Sequence, residues 1–158
     1  MNDERERYLR LALDEAVRGA RAGRGGPFGA AVVHGDRVLA AACNEVTSLN
    51  DPTAHAEVQA IRAACQALGS FQLDGCDVYA SCEPCPMCLG ALYWARPRAV
   101  YYAATRQDAA AAGFDDAVLH EEIARPPGQR RLRVERLAID GALRPFDAWR
   151  ALPGRVKY

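Results

Sequence analysis

The sequence predicts an α/β fold, a three-layer α/β/α sandwich around a mixed central sheet, in a single domain spanning residues 1–158. Three observations lead there. An amphipathic helical pattern opens the chain, and two short β-type runs then read as a hairpin. A strand, helix, strand succession follows, whose parallel crossover requires a sheet of mixed direction with helices on its faces. At 158 residues the chain has the length of one ordinary domain, and no repeat, linker or low-complexity stretch divides it.

The elements follow in order. From Asp3 to Ala22, Leu9, Ala12, Leu13, Ala16, Val17 and Ala20 share one helical face while Arg and Glu occupy the other. Gly23 to Gly26 and Pro27 break this helix. Phe28 to His34 and Arg37 to Cys43 are the hairpin strands, joined around Gly35-Asp36. Asp51-Pro52 gives a helix-start signal and Gly69 a stop, with Val58, Ile61, Cys65 and Leu68 as the apolar stripe between them. His55 and Glu57 are thereby expected in the first turns. Asp77 to Ser81 reads as a strand, Cys85 to Ala95 as a helix closed by Arg96-Pro97, and Ala99 to Ala103 as the parallel strand. Helical patterns over Thr105 to Ala112 and Asp115 to Ala124, an alternating strand pattern over Arg131 to Ile139, and a short helix from Pro145 to Leu152 complete the chain.

Composition narrows the function classes. Half the residues are apolar and a quarter charged, the usual globular mixture, and 20 basic residues balance 20 acidic ones. No global field draws the chain to nucleic acid or an anionic membrane, so neither is an expected partner. The opening Met-Asn-Asp-Glu-Arg-Glu-Arg is not the apolar stretch of a secretory signal, and no run approaches the ~20 apolar residues of a membrane span, which leads to a cytoplasmic expectation. In a reducing compartment the six cysteines read as thiols or metal ligands, and Cys82, Cys85 and Cys88 cluster within seven residues.

That cluster carries the chemistry. Zinc favours nitrogen and sulfur ligands in a tetrahedron, and a catalytic zinc keeps one position for water. His55, Cys85 and Cys88 supply three ligands. Cysteines three apart across a helix start share a face, where unpaired N–H groups and the positive dipole end favour thiolates. Glu57, separated from His55 only by Ala56, can reach the fourth position without being a ligand and is the candidate proton shuttle. A closed site of His55, Cys82, Cys85 and Cys88 would merely staple the fold, but Cys82 lies upstream of Pro84 at a strand end, and that arrangement leaves Glu57 idle. His55-Ala56-Glu57 with Pro84-Cys85-Pro86-Met87-Cys88 matches the H-x-E…P-C-x-x-C signature of zinc nucleobase deaminases.

Beyond the zinc blocks, the chain resembles the bacterial guanine deaminases of the cytidine-deaminase-like zinc superfamily along almost its full length. The resemblance rests on Gly25-Gly26-Pro27-Phe28-Gly29-Ala30, Asn50 to Glu57, Ser81 to Cys88, Tyr93-Trp94-Ala95-Arg96-Pro97, Ala112 to Asp116 and Pro145 to Arg150. It implies a cytidine-deaminase-like fold and zinc-dependent hydrolysis of guanine, a small-molecule purine base, to xanthine and ammonia. It further implies catalytic roles for Glu57 and Asp116, and substrate contacts from Asn44, Phe28, Trp94 and the terminal Tyr158. Residues 143–158 would form a C-terminal helix and tail closing the site, exchanged between subunits of a homodimer in some members. The bland readings stand beside these: Asp115 and Asp116 as helix caps, Asn44 as a turn residue, Phe28 and Trp94 as core, Tyr158 as a frayed end.

Two rivals share the same residues. A nucleoside deaminase acting on guanosine or cytidine, or a tRNA adenosine deaminase, uses the same zinc machinery, and pocket shape chooses the substrate. A zinc-stapled interaction module without activity is the non-enzymatic alternative, against which the place of Glu57 beside His55 argues.

Overall fold

The computed structural model describes residues 2–158. They fall into two compact units, Met1–Asp116 and Ala117–Tyr158.

The first unit is built on a four-stranded sheet. β1 (Gly29–His34) and β2 (Arg37–Cys43) form the expected hairpin, β3 (Cys76–Cys82) pairs antiparallel with β1, and β4 (Ala99–Ala104) pairs parallel with β3, giving the order β2-β1-β3-β4. Alternation along the strands divides the sheet between its two helical layers. Tyr8 of α1 (Asn2–Arg21) packs with Val33 and Tyr79 on one face. Ala30, Val32 and Val78 meet α3 (Ala56–Leu68) and α4 (Pro86–Ala95) on the other, where Leu92 and Ala95 close the cluster. The three-layer mixed α/β architecture expected from the sequence is therefore present.

Two contacts set the height of β1. Gly29 N–H donates to Ser81 Oγ at 2.9 Å. Any Cβ at Gly29 would lie 2.1 Å from the Ala12 carbonyl oxygen, so α1 crosses the sheet with its backbone against that of the strand. The seam of α1 accordingly runs through Tyr8, Ala12 and Ala16, whereas Leu13 and Val17 of the expected apolar face are exposed.

α3 departs from the sequence reading in two ways. It begins at Ala56, with His55 as its N-cap, rather than at Asp51-Pro52. Asp51 is not a helix cap: its Oδ1 accepts from Thr53 N–H at 2.8 Å and Thr53 Oγ1 at 2.7 Å, a local turn that competes with helix formation. The buried seam is Ala56, Ala60 and Ala64, with Ile61 and Cys65 only partly buried beside it. The small side chains bring the helix close to the sheet, and the larger ones lie along its margin. A single turn, α2 (Val46–Leu49), joins β2 to this region.

After β4, Thr105 caps α5 (Arg106–Ala111) through a reciprocal arrangement with Asp108. The second unit holds α6 (Ala117–Ala124), a 3₁₀ turn at Pro127–Gln129, and α7 (Arg144–Ala151). The strand expected over Arg131 to Ile139 is absent: the segment joins no ladder among the described residues, and its alternating side chains are exposed. A period-two pattern makes a strand only where a partner supplies the backbone hydrogen bonds. No helix among the described residues is long and apolar enough to cross a membrane.

Candidate active site

The site lies where α3 and α4 begin. His55 is the N-cap of α3 and Cys85 the N-cap of α4, with Pro86 at the first helical position, where a missing N–H costs nothing. Cys88, one turn on, is buried and shares the face of Cys85. His55 Nδ1 stands 3.6 Å from Cys85 Sγ and 3.5 Å from Cys88 Sγ.

Zinc bound at about 2.0–2.1 Å by nitrogen and about 2.3 Å by sulfur requires an N···S edge of about 3.6 Å in a tetrahedron. The two observed separations match that edge. The three donor atoms lie within 4.8 Å of one another, and the group could hold a metal ion. Cys82 is outside it: its thiol points to the Thr105 carbonyl oxygen at 3.4 Å. The closed four-ligand arrangement weighed from the sequence is therefore not formed.

The electrostatics of the group suit a cation. A hydrogen bond from the Cys88 thiol, helped by His55, outweighs burial and holds Cys85 down at about 4, a thiolate at neutral pH. Cys88 is pushed upward because it shares its proton with Cys85 and is itself buried. The contact with Cys85 raises His55. A cation bound among the three would displace these protons, since the thiolate and neutral imidazole are the binding forms. Glu57, only 7% exposed, lies in the first turn of α3, and burial raises its carboxyl above the usual range.

Asn44 follows β2 and is buried. Its Oδ1 accepts from the N–H groups of Gly26 and Val46, both at 3.1 Å, and its own N–H donates to the Phe28 carbonyl at 2.9 Å. With the amide oxygen held by backbone donors, the NH₂ is the group left to meet a ligand. Phe28 is partly buried against the core and meets Phe114 edge to face, with centroids 5.1 Å apart. Asp116 is half-buried and Asp115 exposed. Trp94 is 64% exposed on α4, and Tyr158, at the end of the second unit, is 75% exposed. The structure brings His55, Cys85 and Cys88 together, buries Glu57 in the first turn of α3, and builds Asn44 into the loop after β2. Trp94, Asp116 and Tyr158 are not members of the metal-binding group.

Sequence reasoning missed Glu45, Arg24 and Gln59, which meet beside Asn44. No motif joins residues at those separations, and only the fold brings them together.

A family model for the cytidine and deoxycytidylate deaminase zinc-binding region matches residues 2–104. The chain belongs to this zinc-binding deaminase family. Among relatives of the family, the guanine deaminase of Bacillus subtilis is 52% identical over 97% of this chain and 98% of its own. Its X-ray structure superposes with a TM-score of 0.94 over the same shares. A guanine deaminase structure from Nitrosomonas europaea gives a TM-score of 0.64 at 36% identity, covering 70% of this chain and 64% of that one. A tRNA-specific adenosine deaminase of Agrobacterium fabrum is 48% identical over 64% of this chain and 66% of its own. Zinc is the cofactor of this deaminase family, and the His55, Cys85 and Cys88 donor set fits it.

Proposed function

We propose that the protein is a cytoplasmic guanine deaminase that hydrolyses guanine to xanthine and ammonia, acting as a homodimer of one deaminase domain per chain. The observation that carries this reading is the His55, Cys85 and Cys88 group, with Glu57 buried in the first turn beside it, in a chain similar over nearly its whole length to a guanine deaminase. The similarity to tRNA deaminases is confined to a shorter stretch.

In this reading His55, Cys85 and Cys88 hold the zinc, which when bound supplies a water activated near neutral pH. Glu57 does the proton work. Its carboxylate takes a proton from the water whose oxygen adds to C2 of guanine, and delivers it to the adjoining ring nitrogen. A second transfer to the exocyclic amino group lets that nitrogen leave as ammonia, and the water oxygen remains as the new carbonyl of xanthine. A carboxyl buried in the first turn of α3 is held in place for both transfers. Asp116 serves as a second carboxylate anchoring the base, and the Asn44 amide donates to an acceptor on its edge. Phe28 and Trp94 wall the pocket against the purine faces. Residues 143–158 close it, with Tyr158 as the lid and the segment exchanged between the two copies. The many exposed apolar side chains of residues 117–158 support an assembly in which they are covered.

Ammonia release measured side by side on guanine, guanosine, cytosine, cytidine and adenine tests the assignment. Guanine is expected to turn over fastest and guanosine to be rejected by a closed pocket. Faster turnover of guanosine or cytidine would overturn the free-base reading.

A further inference from the structure

We propose that Glu45 is a positioning residue, clamping the loop that carries Asn44 to the helix that carries Glu57. The inference rests on the reading of Asn44 as the amide that meets the base. Glu45 is the next residue, at the junction of β2 and α2, and its side chain is only 15% exposed. It ties three separate segments. One carboxylate oxygen pairs with the Arg24 guanidinium from the loop before β1. The other accepts from Gln59 Nε2 of α3 at 2.8 Å. Its backbone N–H donates to the Ala54 carbonyl at 2.9 Å, immediately before His55.

The loop before β1 is locked to the same junction from its other side. The Arg24 carbonyl accepts from Ser48 N–H and Thr47 Oγ1, each at 3.1 Å. Gly26 N–H holds the Asn44 oxygen, and at Gly25 a Cβ would fall 2.3 Å from that same oxygen. The Asn44 amide is therefore enclosed by a loop whose approach the Arg24–Glu45 pair sets. Gln59 stands two residues beyond Glu57, so Glu45 spans between the group that would orient the substrate and the helix that would move its protons. A charged pair with a third hydrogen bond resists displacement in a way that one contact does not. A shift on the order of 1 Å in a group that orients the substrate is enough to cost much of its contribution to holding the base.

The role separates from a structural one by coupling. Glu45→Ala is expected to raise KM for guanine about tenfold with kcat changed less, and with zinc content unaltered. In an Asn44→Ala background the same substitution is expected to change KM by less than about twofold, because residues acting as one unit are not additive. Arg24→Ala and Gln59→Ala each cut one arm of the clamp and are expected to show smaller shifts with the same dependence on Asn44. They carry the test should Glu45→Ala fail to fold. Equal fold-changes in both backgrounds, or an unchanged KM in the single variants, would overturn the clamp. Should Asn44→Ala itself leave guanine binding intact, the substrate role of Asn44 falls and the clamp falls with it. An intact Asn44 effect without coupling sinks the clamp alone.

Discussion

The two units of the chain use apolar residues in opposite ways. In Met1–Asp116, valines, alanines and one leucine are fully enclosed between a sheet and its two helical layers, and the His55, Cys85 and Cys88 group sits at the ends of the enclosed helices. In Ala117–Tyr158 no side chain is buried, and Leu132, Leu137, Ile139, Leu143 and Phe146 are all exposed. A sheet with helices on both faces encloses its own apolar side chains, whereas the apolar side chains of the second unit stand exposed. The contrast teaches that the His55, Cys85 and Cys88 group belongs to the self-enclosed part of the sequence, whereas the part that follows it presents its apolar residues outward.

The contrast can be broken most sharply at Glu57. Glu57→Gln is expected to lower kcat by about 10²–10⁴-fold, the usual worth of a positioned acid–base group. Bound zinc, measured by atomic absorption, should stay at one per chain. Near-normal turnover in this variant would mean that the first unit does not hold the proton carrier. Leu137 tests the second unit. At 79% exposure in a single chain, Leu137→Ser should cost less than about 0.5 kcal/mol of stability. If a second copy buries that side chain, the substitution forfeits roughly 1.5–3 kcal/mol of apolar burial per chain, and with both chains substituted the dimer dissociation constant rises on the order of 10²–10⁴-fold. Light scattering against concentration reads the difference, and identical curves for both proteins would remove Leu137 from any interface. The smallest expected effect is at the chain end, where Tyr158→Ala should reduce kcat/KM for guanine about tenfold through loss of closure. Guanosine turnover should rise in the same variant. Unchanged ratios of guanine to guanosine would take the lid away from Tyr158.

Much of the first unit was legible because its signals are local. The hairpin is written in two alternating runs around Gly35-Asp36, and the metal-binding group in H-x-E and P-C-x-x-C spacings that each open a helix. What escaped the sequence depends on partners far along the chain. Asp51-Pro52 carries the composition of a helix start, yet Asp51 spends its carboxylate on Thr53 and the helix waits for Ala56. The apolar stripe of α3 is set by how closely the helix approaches the sheet, which favours Ala56, Ala60 and Ala64 over the larger residues that hydrophobicity ranks first. Arg131 to Ile139 has a strand's alternation and no ladder, because the pattern records which residues would face a core without recording whose core it is. Glu45 has no motif at all, since Arg24 lies 21 positions before it and Gln59 14 after it.

The alanine seam beneath His55 and Glu57 bears on how this protein can change. At most core positions a larger side chain is a question of stability, absorbed by repacking at a cost of about 1–3 kcal/mol. At Ala56, Ala60 and Ala64, each fully buried, an added methyl group is expected to press α3 off the sheet and to shift His55 and Glu57 relative to Cys85 and Cys88, which are held at the start of another helix. Thermostability and turnover are thereby placed on one lever. Variants selected for a fuller core at these three positions should drift out of register with their own metal ligands, whereas the margin of the same helix, at Val58 or Leu68, leaves room to gain stability without moving the site.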